Sequence, residues 1–244
     1  MLQPGTRRAL DTCWAGTFGC EPAALRPSAP TLFPRVDGAY HGVYAMEFGA
    51  APVSLVPVEL LEPHAAGIAD VLAPGLREDA RPWRGVFGKT VEAVIGPAAL
   101  RYTDLGSFRP LPASPAVRIL TGDDLPAAEA LRDACTPTEW EHGGSDVRHD
   151  AAAGSFAGGE LAALAGYEVW NGVIAHVAIV THPAHRGRGH AAAAVSRVTA
   201  HALEAGLVAQ YRTLESNTPS LAVAERLGFE PWARSLAIRL RGAP

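Results

Sequence analysis

Lysine is nearly missing from this 244-residue sequence: Lys89 is the only one, and the other 20 of its 21 basic residues are arginine. With 25 Gly and 20 Pro, this bias points to a high-GC bacterial origin. Cysteine is scarce as well. Cys13, Cys20 and Cys135 are odd in number and form no Cys-x-x-Cys pair, which argues against a disulfide framework and for a reducing cytosol. No stretch approaches the ~18 apolar residues of a membrane span. The opening Met-Leu-Gln-Pro-Gly-Thr-Arg-Arg leads into no apolar run of signal-peptide length. A net charge of −4 argues against a nucleic-acid binder with a broad basic surface. The expectation is a soluble, cytoplasmic protein with no membrane or nucleic-acid partner.

What is present is ordinary globular material: 48% hydrophobic and 19% charged residues. A chain of this length buries roughly 70–75% of its unfolded surface and needs no metal or disulfide staple. Fourteen of the 20 prolines lie in the first 115 residues. The densest cluster, Arg109-Pro-Leu-Pro-Ala-Ser-Pro-Ala116, is too stiff for helix interior and reads as a linker. Two domains are expected, residues 1–115 and 116–244.

In the first part, Gly42–Phe48 and Gly85–Ile95 read as strands and Val58–Leu72 as a helix. Trp14, Trp83 and Tyr44 read as core or interface aromatics. The second part has sharper punctuation. Val117–Leu120 reads as a strand, and Asp123 or Asp124 can cap a helix through Cys135. A short helix covers Thr138–Gly143. Ser155–Glu160 turns at Gly158-Gly159 into a strand over Leu161–Trp170, and Asn171-Gly172 turns it into Val173–Thr181. A helix over Gly189–Ala205, a strand over Val208–Leu214, a helix opened by Pro219 and closed by Gly228, and a strand over Ser235–Leu240 complete the order.

Chemistry concentrates in His182-Pro-Ala-His-Arg-Gly-Arg-Gly-His-Ala191. Gly187 and Gly189 let backbone N–H groups approach a ligand, the following helix start leaves donors unpaired, and Arg186 and Arg188 add charge. This suits a doubly charged anion, most simply a pyrophosphate. Neither Gly-x-x-x-x-Gly-Lys-Ser/Thr nor Gly-x-Gly-x-x-Gly occurs there, which disfavours ATP and NAD.

The stretch Val180–Ala191, together with Asn217, Pro219, Ala222 and Leu227-Gly-Phe229, resembles the GNAT superfamily of acyl-CoA-dependent N-acetyltransferases over roughly residues 116–240. The resemblance implies an α/β (α+β) fold with a mixed, splayed central sheet flanked by helices. Ahead of it would stand a smaller α/β N-terminal domain, itself a candidate degenerate GNAT-like half. It implies that Arg186, Gly187, Arg188, Gly189, His190 and Ala191 cradle the CoA pyrophosphate. The backbone of Ile179, Val180 and Thr181 would serve the pantetheine arm and the thioester oxygen, and Asn217 would bond the pantetheine amides. Many members carry a tyrosine four residues before the Gly of Gly-Phe, where it protonates the leaving thiolate; here that residue is Ala224. The usual base positions fall on Ala175 and Val177, neither of which can serve.

His176 lies between those two, and alternation points it to the opposite face. Glu168 on the neighbouring strand ranks first as base and Glu215 next, with Tyr167 and Tyr211 as candidate acids, a packing role being the blander reading of each tyrosine. Five of nine histidines fall between His176 and His201, but their spacings match no zinc pattern, so no metal is expected. Glu139-Trp140-Glu141 falls where the family's acceptor groove is walled, an acidic pair beside an aromatic suited to a cationic amine. The expected activity is transfer of acetyl from acetyl-CoA directly to a small-molecule or peptide amine, since no cysteine lies near the loop in sequence. A catalytically silent acyl-CoA sensor is the alternative. The N-terminal part would wall the acceptor groove or form a homodimer.

Overall fold

A computed structural model describes residues 1–36, 40–147 and 151–241. In chain order the described residues form α1 (Pro4–Phe18), β1 (Thr31–Arg35), β2 (Gly42–Glu47), β3 (Pro52–Pro57), α2 (Val58–Leu72), α3 (Ala80–Phe87) and β4 (Val91–Thr103). Then come β5 (Val117–Ile119), α4 (Leu125–Ala134), α5 (Pro137–Gly143), β6 (Ala151–Ala157), β7 (Glu160–Trp170), β8 (Ile174–Thr181), α6 (His190–Glu204), β9 (Val208–Leu214), α7 (Thr218–Arg226) and β10 (Glu230–Leu240). Compactness divides this mixed α/β chain differently from a single cut near residue 115. One unit holds Met1–Thr6, Arg101–Arg212 and Thr218–Glu230, and the other Arg7–Leu100, Thr213–Asn217 and Pro231–Pro244.

The first unit, which carries the glycine loop, orders its strands β5-β6-β7-β8-β9. Pairing is antiparallel from β5 through β8 and parallel between β8 and β9. The tight turn between β7 and β8 has Asn171 (φ 51°) and Gly172 (φ 68°) at its two left-handed central positions and is closed by Val173 N–H donating to Trp170 O at 3.1 Å. On one face lies α6, with Val195, Val198 and Ala202 at helical spacing against Ala163, Ala165, Ala175, Val177 and Ala209. So many fully buried alanines keep side-chain bulk low and let α6 lie close on the strands. Burying each larger apolar side chain contributes about 1.5–3 kcal/mol. The other face packs Leu120, Leu131, Leu164 and Val180 under α4, with Trp140 of α5 at the margin.

The proline-rich stretch is fastened to this unit. Arg109 N–H donates to Leu227 O at 3.0 Å and Leu111 N–H to Ser196 Oγ at 2.9 Å. It is therefore a pinned strap and not a free spacer.

The second unit orders its strands β1-β3-β2-β10-β4. Its core gathers Val43, Ile68, Leu72, Trp83 and Phe87 with Leu236 and Ile238. Antiparallel pairing of β2 with β10, Tyr44 opposite Ala237, means that the amino-terminal strands are completed by the chain's last strand. A separate N-terminal domain is thus not shown. The strand expected over Gly85–Ile95 begins only at Val91, because residues 80–87 form a helix. Asp79 caps it by accepting from Arg81 N–H, and Trp83 and Phe87, four apart, are buried together. The sequence reading also missed α1, whose Leu10, Trp14 and Phe18 share one buried face, and the strands β1 and β3.

Two predictions follow from the loop unit. Asp124 accepts from Arg118 Nη1 at 2.7 Å and from Thr121 N–H at 2.9 Å; the Arg118 bond chiefly lowers its pKa, to about 2. A lowered folded-state pKa gives stability that is present above the unfolded value, near ~4, and lost as pH falls through about 2. Asp124→Asn is expected to cost about 1–2 kcal/mol in urea unfolding at neutral pH, the gap to wild type closing between pH ~4 and ~2. Gly143 ends α5 directly over β8, and a Cβ there would collide with the Ile179 carbonyl. Gly143→Ala should therefore cost about 1–3 kcal/mol by the same assay, because neither backbone can yield cheaply.

Candidate active site

β8 is paired along its whole length with β7, from Ile174 opposite Trp170 to Thr181 opposite Ala163. Toward β9 it is paired only from Ile174–Val177 against Val208–Tyr211. Beyond Val177 the ladder stops, so Ala178–Thr181 form a strand held on one side. Ile179 and Thr181 are half-buried and Val180 is buried under α4. The strand runs straight into the glycine loop.

In that loop Gly187 (φ 74°) and Gly189 (φ 86°) are left-handed, and a Cβ on either would project into open space. Gly189 caps α6 without a side-chain bond, leaving the first helical N–H groups unpaired within the helix. Arg188 is exposed and Ala191 half-buried. This cradle of open backbone donors fits a pyrophosphate. Arg186 is already engaged: its Nη2 donates to Glu139 Oε1 at 2.6 Å and its Nε to Thr181 O at 3.3 Å. His190 turns its ring inward, where Nδ1 shares a hydrogen bond with Ser155 Oγ at 2.9 Å. Burial first, then the charges of His185 and Arg188, lower the His190 pKa.

On the face away from α6, beside the point where pairing stops, lies a cleft of about 190 Å³ lined by Glu141, His142, Ser145, Glu168, Trp170 and His176, among others. The expected acidic pair is split: Glu141 lines the cleft, while Glu139 closes a capping box with Thr136 and holds Arg186. The aromatic wall is Trp170, not Trp140. Glu168 is exposed, opposite His176 in the ladder, and its Oε2 accepts from Trp170 Nε1 at 3.3 Å. Trp170 stacks on His176 with centroids 4.0 Å apart and planes 16° apart. Ala175 and Val177 are buried under α6, so the parity that faces the cleft is that of His176. Behind the ring, His176 Nδ1 meets Gln210 Oε1 at 2.6 Å, and Gln210 Nε2 donates to Tyr102 OH.

Gln210 and Tyr102, both wholly buried, escaped the sequence reading. A glutamine inside the apolar strand Val208-Ala-Gln-Tyr211 was the available signal.

Tyr211 sits in the α6-side core, its hydroxyl bonded to Ser220 at 2.9 Å and its pKa raised by burial. Tyr167 packs in the same core, bonds His201 at 3.1 Å, and is also among the residues that line the cleft. Glu215 is ion-paired: Arg234 Nε at 2.6 Å and Nη2 at 3.0 Å hold both of its oxygens. Asn217 is exposed in a turn, its N–H donating to Leu214 O at 3.0 Å. Ala224 is fully buried against α6.

Glu160, His182 and His185 bring three ligand atoms within 4.8 Å of one another. His182 Nδ1 accepts from Ala184 N–H, which puts the proton of a neutral ring on Nε2, toward Glu160. His185 Nε2 lies 2.8 Å from Glu160 Oε2, a donor's distance to a carboxylate. As it stands, the trio is a carboxylate bridged to two imidazoles.

Residues 125–229 match the family model described as the acetyltransferase (GNAT) family, whose members use acetyl-CoA. Among solved structures, a GNAT-family acetyltransferase from Novosphingobium aromaticivorans DSM 12444 is 27% identical, covering 62% of this chain and 67% of its own, with a TM-score of 0.49. A GNAT-family acetyltransferase from Colwellia psychrerythraea is 15% identical over 75% of this chain and 72% of its own; its TM-score of 0.52 is a likeness of fold. No curated protein matches. The segment 125–229, with its one-sided strand, glycine loop and helix, is the part of the chain that matches the GNAT acetyltransferase family.

Proposed function

We propose that the protein is an N-acetyltransferase that moves acetyl from acetyl-CoA directly to an amine. The observation that carries this is the loss of β8–β9 pairing after Val177, immediately before an open donor loop and beside a cleft with two carboxylates. Bound acetyl-CoA supplies a thioester carbonyl and a thiol leaving group of pKa near ~8–9. The N–H groups of residues 187–191 and the Arg188 guanidinium hold the pyrophosphate. The one-sided backbone of Ile179–Thr181 holds the acyl arm, and Glu141 and Glu168 draw a cationic small-molecule or peptide amine into the cleft. Cys135 lies near enough to Arg186 and Glu139 to feel both charges, but burial raises its thiol pKa, which disfavours the thiolate that an acyl carrier requires.

A silent acyl-CoA-binding module is the second reading, favoured by the buried Ala224 where many relatives carry a tyrosine. Both readings require the loop. Acetyl-CoA or CoA at ~100 times its dissociation constant should stabilise the protein by about 2.7 kcal/mol, a thermal shift of several degrees, and ATP should do less. Gly189→Glu and Arg188→Ala should each shrink that response. An unmoved wild type at millimolar acetyl-CoA rejects both readings. Thiol release with a panel of amines then separates them, the silent module binding acetyl-CoA without turnover.

No helix among the described residues is long and apolar enough to cross a membrane.

A further inference from the structure

A buried relay fixes the protonation geometry of one ring in the cleft. His176 stands on β8 one residue before the pairing with β9 ends. Its Nδ1 edge faces Gln210 Oε1 on β9, its flat face covers Trp170, and the ring lines the cleft. As the Gln210 amide is placed, its Nε2 donates to Tyr102 OH and its Oε1 faces the ring; the flipped amide would donate N–H to Nδ1, accept from Tyr102 OH and put the ring proton on Nε2, so the tautomer is what the test below reads. With Oε1 toward the ring, Nδ1 carries the hydrogen and the lone pair of the neutral imidazole lies on Nε2.

On the transferase reading above, we infer that His176 is the base that takes the amine's proton through Nε2. Gln210, backed by Tyr102, is the positioning residue that fixes the Nδ1–H tautomer. An amine that enters as its ammonium ion first releases one proton to water; as the neutral nitrogen forms the N–C bond, its N–H proton passes to Nε2, the C–S bond breaks, the thiolate takes a proton from water, and His176 returns its own to solvent. Burial foremost, together with the charge of Arg212, lowers the His176 pKa, while the Gln210 bond and Glu168 oppose this. A neutral, proton-accepting ring at neutral pH is the consequence. Glu141 and His142 face the same cleft from α5, and Glu168 from β7. A neutral amide orients the ring without stabilising its charged form as a carboxylate would.

The test uses full-length protein labelled with ¹⁵N-histidine. His176→Asn identifies the His176 signals, and long-range ¹H–¹⁵N spectra report the tautomer. Wild type should show His176 as Nδ1–H at pH 8 and titrating below the ordinary histidine range. Gln210→Glu should raise that midpoint by about a unit or more, and Gln210→Leu should mix the tautomers. An Nε2–H or mixed ring in wild type, or a midpoint unmoved in Gln210→Glu, overturns the positioning role.

In thiol-release assays with small primary amines, His176→Asn should lose roughly 10²–10⁴-fold in kcat/KM while keeping the acetyl-CoA thermal shift. The acid limb of the pH profile should follow the NMR midpoint in Gln210→Glu. If Glu168→Gln removes that limb and His176→Asn does not, the carboxylate is the base and the proposal falls. A wild type inert toward all amines, with the NMR result as expected, overturns the transferase reading and with it the base role, but not the relay.

Discussion

The loop unit depends on a hydrogen-bond ladder that stops. Parallel pairing of β8 with β9 covers four residue pairs and ends at Val177 and Tyr211, while β8 continues to Thr181 on the strength of β7 alone. A strand interior rarely leaves one edge unpaired, because buried backbone groups without partners are costly. Here the cost is contained: β7 holds one edge, Val180 anchors the apolar side, and α5 lies close over the Ile179 carbonyl. Backbone freed from the ladder is the resource that an extended amide-bearing ligand can use.

Because side chains alternate along β8, one choice of register decides the rest. Ala175 and Val177 go to the alanine-rich contact with α6, so His176 and Ala178 go to the cleft. The same rule carries Gln210 beside His176 and Glu168 opposite it. Side chains from three neighbouring strands converge through registry alone. That is why a base position read by counting along β8 lands on buried residues, while the residue between them meets solvent.

Local chemistry was legible in the sequence. Asn171-Gly172, the glycines of the loop and the cap and stop of α6 all announce themselves within a few residues, because their signals are backbone conformations that few side chains tolerate. Non-local pairing was not legible. Nothing within Gly42–Glu47 reveals that β10, nearly two hundred residues later, is its neighbour. Residues 80–87 were misread because Val86, Thr90, Val91 and Val94 mimic strand alternation, whereas the Trp83–Phe87 spacing and the Asp79 cap decide for helix. Glu168, which lines the cleft, and the left-handed glycines of the loop stand out by residue type and motif. The Arg234 partner of Glu215 does not, because it comes from another strand.

The same non-locality gives Glu139 two duties. One carboxylate closes the capping box at the start of α5, with Thr136 N–H at 2.9 Å, and also receives Arg186 from the glycine loop at 2.6 Å. These bonds lower its pKa, the Thr136 backbone bond most. Arg186 is half-exposed, so the ion pair itself contributes little in water. Its consequence is geometric: the segment that begins a wall of the cleft and the loop that begins α6 share an arginine. An anion that draws Arg186 into the loop draws it from Glu139, whose cap to Thr136 remains. The competition is therefore between two acceptors for one guanidinium, and a dianion facing open helix N–H groups has the stronger field.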